Sequence, residues 1–171
     1  MLDELDDLLR STRDWLAEGH KVAIATVIET WGSAPRRRGS HAIIRDDGLF
    51  EGSVSGGCVE GDVIFGAQAL IHDGGGFERR DYGIQDENAW TFGLACGGKI
   101  SVLIQTVDDA HYPPALLDEV IERRAQGEAI SVVTDLASGA SRAGEADSDN
   151  VYTNLYPPPL RMMIVGAVHV S

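Results

Sequence analysis

Lys21-Val22-Ala23-Ile24-Ala25-Thr26-Val27-Ile28-Glu29-Thr30 is the stretch on which the fold turns. It is rich in β-branched residues and reads as a buried strand. Upstream, residues 2–18 place Leu2, Leu5, Leu8, Leu9 and Leu16 near a 3.6-residue period, which predicts a helix. Its acidic residues come first and Arg10 and Arg13 later, in keeping with the helix dipole, and Gly19 is placed to cap its end. Downstream, the loop Gly32-Ser33-Ala34-Pro35-Arg36-Arg37-Arg38-Gly39 leads to a hairpin. Its strands are residues 42–45 and 49–53, joined by Asp46-Asp47-Gly48.

Further along, residues 58–72 predict a helix ended by Gly74-Gly75-Gly76, and residues 77–82 an edge strand with charged residues. Residues 84–96 lack periodicity and read as a loop. Residues 99–107 give a second strong buried strand, Pro113-Pro114 opens a helix to about residue 124, and residues 129–135 give a third strand. Residues 137–150 read as a turn or mobile hairpin, and Tyr156-Pro157-Pro158-Pro159 as a stiff linker. The expectation is a mixed α/β domain over residues 1–155, with helices packed on one sheet built from residues 21–30, 99–107 and 129–135. Residues 156–171 read as a linker and the first strand of a truncated Rossmann-like domain; the segment Gly166-Ala167-Val168-His169-Val170-Ser171 breaks the dinucleotide fingerprint at Val168 and Ser171.

The 171 residues carry 27 Asp and Glu against 14 Lys and Arg, a net charge of -13. That argues against nucleic acid and anionic membrane surfaces as partners. No apolar run approaches the roughly 20 residues of a membrane-spanning helix. The acidic amphipathic start is no signal peptide, and 2 cysteines give no disulfide framework, so the cytoplasm is the expected compartment.

Chemistry is concentrated in three glycine-rich segments: the arginine loop, Gly52-Ser53-Val54-Ser55-Gly56-Gly57-Cys58-Val59-Glu60-Gly61, and Gly93-Leu94-Ala95-Cys96-Gly97-Gly98. A glycine turn opening a helix exposes N–H groups and a positive dipole end, a ready anion site. Cys58 reads either as a thiolate favoured by that helix start or as a small side chain filling a helix–sheet contact. Cys96 has the same two readings. Glu60 and Asp62 suit the first helical turn, and Glu60 could also serve as a general base. Ser33, Ser53 and Ser55 either bind phosphate oxygens or simply form turns. Three adjacent arginines suit a bidentate grip on an anion or solvation at the surface, and at least one of Arg36, Arg37 and Arg38 is expected on a ligand. Trp31 and Trp90 read as packing residues. The absence of a CxxC pair and the scattered histidines argue against zinc.

Taken in order, the three segments resemble the XdhC/CoxI family of accessory proteins for molybdenum hydroxylases. The resemblance spans roughly residues 5–107, with the tail from Arg161 similar to the start of the family's Rossmann-like second domain. It implies a largely non-catalytic chaperone that binds molybdenum cofactor (molybdopterin) and helps deliver it, sulfurated, to an apo molybdenum hydroxylase of the xanthine or carbon monoxide dehydrogenase type. Carried over by motif, the cofactor-binding residues are Arg36, Gly39, Ser55, Gly56, Gly57, Cys58, Glu60, Cys96, Gly97 and Gly98, with Cys58 and Cys96 as metal contacts. A cofactor sulfurase and a second copy of the chain are further expected partners, and a nucleotide would belong to the rest of the second domain. Ala42 departs from the family pattern, which has methionine there. A thiol-dependent redox enzyme using Cys58, and an interaction domain that needs further chain, are the competing readings.

Overall fold

The computed structural model describes residues 4–83, 98–146 and 148–159. The expected loop 84–96, with Trp90 and Cys96, Gly97 beyond it, and the strand expected from Arg161 lie outside the described residues. Helix α1 (Glu4–Ala17) buries Leu8, Leu9, Thr12 and Trp15 and ends at Gly19, whose φ of +91° admits the capping turn. Strand β1 (Val22–Trp31) follows, then the hairpin β2 (His41–Arg45) and β3 (Phe50–Gly52). Helix α2 (Glu60–His72) leads to β4 (Phe77–Tyr82) and β5 (Lys99–Thr106). Helix α3 (Pro114–Ala125), β6 (Ile130–Asp135), β7 (Ser141–Ala143) and β8 (Val151–Tyr156) complete the order.

The strands form two antiparallel sheets rather than the single sheet expected from residues 21–30, 99–107 and 129–135. One has the order β3-β2-β1-β5-β4, the other β7-β6-β8. β1 is central to the larger sheet and its first residues, Val22 to Ile28, are all buried. Ala23, Ala25 and Val27 face Val63, Ala67 and Ile71 of α2, and their small size lets the helix sit close. On the opposite face Val22, Ile24 and Ile43 meet α1, α3 and Ile130 and Val132 of β6. The larger sheet is thus the middle layer of the domain.

β7 and β8 were not legible in the sequence. Residues 137–150 contain β7, and Tyr156, expected in the linker, is the last residue of β8. The reason is chemical: the inward positions of β8 are Tyr152, Asn154 and Tyr156, which is not an apolar alternation. Asn154 is accommodated by a bond between its Nδ2 and His41 Nε2 (3.2 Å), and His41 stacks on Tyr156 with ring centroids 5.5 Å apart. The segment after β8 is tied down as well, since Arg124 donates to Pro157 O and to Asp6 Oδ1.

Candidate functional site

The arginine loop begins where β1 breaks its ladder. Val27 pairs with Val102 and Glu29 with Ser101, leaving Ile28 as a bulge. Arg38 Nε donates to the bulged Ile28 carbonyl at 3.0 Å, and its guanidinium lies 4.8 Å from the centroid of the Tyr152 ring. The loop then folds back onto the strand through Gly39 N–H to Val27 O and Val27 N–H to Ser40 O. Arg36 makes only a loose 3.9 Å pairing with Glu4. It lines a small cavity of about 160 Å³ together with Gly39, Ser40, His41 and Ser53. Arg37 is exposed, and no ion-pair partner for it occurs among the described residues.

The cysteine turn is wrapped around Glu60. One carboxylate oxygen accepts from Ser53 Oγ (2.7 Å), Val54 N–H (3.2 Å) and Ser55 N–H (2.9 Å). The other accepts from Gly57 N–H (2.8 Å) and from the Ser55 hydroxyl. Ser53 Oγ in turn accepts from Gly56 N–H (2.9 Å), and Ser55 Oγ from Cys58 N–H (3.0 Å) and Val59 N–H (2.9 Å). Every backbone N–H from Val54 to Val59 is therefore satisfied inside the turn. Burial would raise the Glu60 pKa, but the Ser55 and Ser53 hydrogen bonds outweigh it and hold the carboxylate at about 2.

This arrangement corrects the expectation of an open anion cradle. The protein supplies the anion itself, and a phosphate placed there would meet a fixed carboxylate instead of free N–H donors. It also leaves Glu60 engaged as an acceptor, so it is poorly placed to act as a general base. Helix α2 starts at Glu60 and not at Cys58, because Ser55 holds the N–H groups of Cys58 and Val59 in the turn. Gly52 permits the chain to enter this turn: its φ is +80°, and a Cβ there would lie 2.4 Å from His41 O.

The packing reading of Cys58 fails, since its thiol is free and exposed. Trp31, expected to pack, is 75% exposed at the end of β1. Asp62 is taken by Arg80 (2.7 Å) and by the Tyr82 hydroxyl (2.7 Å).

The arginine loop, the cysteine turn and Gly98, the last residue of the third segment, meet at one end of the larger sheet. A Cβ on Gly56 would lie 3.6 Å from Pro35 Cβ, which brings the cysteine turn against the arginine loop. A Cβ on Gly98 would lie 3.0 Å from Ala34 N and 3.1 Å from Trp31 O, so the entry to β5 packs on the same loop. Ala34 also packs against the core cluster that contains Val54 and Val59. Of the expected site residues, Arg36, Gly39, Ser55, Gly56, Gly57, Cys58, Glu60 and Gly98 thus belong to this cluster of loops.

Comparison with known proteins gives the same assignment. Residues 15–83 match the XdhC and CoxI family. The match covers α1's last turn, β1, the arginine loop, the hairpin, the cysteine turn, α2 and β4. The chain is 31% identical over 128 residues to the molybdenum cofactor insertion chaperone PaoD of Escherichia coli, covering 74% of this chain and 39% of PaoD. It is 32% identical over 88 residues to a probable xanthine dehydrogenase subunit of Bacillus subtilis, covering 51% of this chain and 27% of that protein. The chain therefore spans well under half the length of these curated relatives. A crystal structure of a Bacillus halodurans protein described as a xanthine dehydrogenase superposes with a TM-score of 0.69 at 23% identity, over 92% of this chain and 53% of that one. The likeness in fold to that structure thus extends beyond the matched segment to nearly the whole chain. Among the described residues no helix is long and apolar enough to cross a membrane.

Proposed function

We propose that this chain is an accessory protein of a molybdenum hydroxylase, binding molybdenum cofactor and assisting its insertion into the apo-enzyme. The observation that carries the reading is the packing of Gly98 and of the cysteine turn, whose thiol is exposed, against the arginine loop. The family match and the likeness to PaoD support it.

The residues present fit the group chemically. Cys58 offers a soft sulfur beside a soft metal–dithiolene centre. Arg36, loosely paired, offers a guanidinium for the phosphate. Ser55, Gly57 and Glu60 act one step back, holding the turn so that the Cys58 side chain stays in solvent. Gly98 permits the entry to β5 to close on Ala34, and Gly56, at a φ of +76°, turns the chain against Pro35. Cys96 and Gly97 complete the proposal as a second thiol and its turn. The cofactor supplies its own redox chemistry; the chain's part is to bind, orient and release it. Residues 156–171 are proposed as the link to a Rossmann-like second domain.

Anaerobic purification followed by molybdenum and pterin analysis tests the reading. The wild type retains cofactor, and Cys58→Ala reduces the amount at least several-fold while the thermal midpoint stays unchanged. Wild-type chain that carries neither molybdenum nor pterin after mixing with free cofactor refutes it.

A further inference from the structure

Helix α2 forms the outer layer on its side of the larger sheet, and its outward line is unusual in so acidic a chain. Gly61, Phe65 and Ala69 are exposed and recur every four residues, so they lie one above another along the helix. None carries a charge, and Phe65 is 71% exposed. Both carboxylates of the helix are engaged within the fold, Glu60 by the cysteine turn and Asp62 by Arg80 and the Tyr82 hydroxyl.

The apolar surface continues onto the hairpin. Glu60 accepts from Ser53 at the start of α2, and Gln68 Nε2 donates to Asp46 O (3.3 Å) two turns on, so β3 runs beside the flank between them. Phe50 pairs in register with Ile44, which packs under α2, so the exposed Phe50 ring projects toward the same layer, level with Ile64 and Phe65. The carboxylates at the hairpin turn are paired inside the copy, Asp47 with Arg45 (2.6 Å) and Asp46 with His20 (2.9 Å).

Two properties point to what covers this face. A chain of net charge -13 repels its own copies wherever carboxylates oppose one another, and here two copies can meet without that repulsion at the contact. The pattern is also self-complementary. With two α2 helices antiparallel and a twofold axis level with Val63, Phe65 of each copy falls over Gly61 of the other, a ring above a missing side chain. That gap is open, since a Cβ on Gly61 would meet nothing within 4 Å. The end of β8 is held to α3 on the other side of the sheet, where Arg124 donates to Pro157 O, away from this face.

We infer that α2 is a dimerisation face, covered by a second copy of this chain, with Phe65 and Gly61 at its centre and Phe50 at its rim. A strip one helix long, about 20 Å, and about as wide with the hairpin buries on the order of 800 Å² over both copies, the size of a weak and reversible contact. The pairing sets the two cysteine turns at opposite ends of the helix pair, roughly 20 Å apart, so each copy keeps its own thiol in solvent. The inference does not depend on the cofactor reading.

Sedimentation velocity of the full chain in reducing buffer, from about 1 to about 300 μM, tests it. Wild type passes from monomer to dimer with a dissociation constant on the order of 10–100 μM. Phe65→Glu weakens association by about tenfold or more without lowering the thermal midpoint, because the ring it replaces is exposed in the monomer. Gly61→Gln, which fills the gap, does the same. An equimolar mixture of Phe65→Glu and Phe65→Lys regains the dimer that neither forms alone, since the two positions lie one turn apart across the axis. Raising salt from about 50 to about 500 mM strengthens the wild-type dimer by screening the repulsion between acidic copies. Wild type that stays monomeric at the highest concentration, a dimer that persists in Phe65→Glu or Gly61→Gln, a mixture that stays monomeric, or association that weakens as salt rises overturns the inference.

Discussion

Replacing Glu60 by Gln removes the charge around which the cysteine turn is built. The Glu60 pKa is about 2 in the folded protein against 4.5 as the ordinary value. At about 1.4 kcal/mol per unit, that difference corresponds to roughly 3 kcal/mol of stability near neutral pH. The folded pKa is depressed, so the contribution is complete above pH 4.5 and is lost as pH falls toward 2. Gln keeps one acceptor oxygen but sets an amide NH₂ against the Gly57 N–H or the Ser55 hydroxyl, so donors face donors. Urea denaturation of wild type and Glu60→Gln should therefore differ by roughly 3 kcal/mol at pH 7, narrowing by about 1 kcal/mol at pH 4. Acid effects elsewhere in the protein are common to both chains and cancel in the difference. In the variant the turn loosens, and Cys58 should alkylate at an altered rate while remaining accessible. A stability difference below about 0.5 kcal/mol at pH 7, or one that does not change between pH 7 and pH 4, would refute the internal-anion account.

Burial holds His41 neutral, with its pKa pulled down from 6.5 to about 4. Between those values the unfolded chain binds a proton that the folded one does not, so stability rises with pH across the window; wild type should lose roughly 2 kcal/mol from pH 7 to pH 5, and His41→Gln should show a flatter profile in the same denaturation series. Gly52→Ala forces a side chain onto the His41 carbonyl at positive φ and should cost more than about 2 kcal/mol, whereas Gly57→Ala, with no neighbour within 4 Å, should cost only about 1 kcal/mol of backbone strain. Equal thermal shifts for the two would contradict this. Arg38→Ala uncovers the bulged Ile28 carbonyl and loses the Tyr152 contact, for an expected loss of about 1–2 kcal/mol by chemical denaturation; a neutral variant would mean that water caps the bulge equally well.

Much of the fold was legible because its signals are local. The apolar run of β1, the Asp46-Asp47-Gly48 turn and the leucine spacing of α1 depend on residues close in sequence, and the structure places each within a residue or two of its expected bounds. The candidate segments were legible too, as glycine-rich stretches carrying Cys58 and Arg36. The smaller sheet was not. β8 hides its buried face behind Asn154, whose acceptability depends on His41, more than a hundred residues away. Cys58 was open to two readings, and Trp31 was expected to pack, because solvent exposure is a property of what fails to pack over a residue.

The chain's order of residues by itself determined the central strand, the flanking helices and the presence of three unusual loops, since φ/ψ preference and apolar periodicity act over a few residues. Only the tertiary structure decided what those loops do to one another. It committed the Val54–Val59 amides to the Glu60 turn, left the Cys58 thiol in solvent, used Arg38 to mend a bulge, and brought Gly56 and Gly98 against one loop. Hydrogen bonds between side chain and backbone are short-ranged and saturable, so which donor meets which acceptor is fixed only once the packed layers have set their positions.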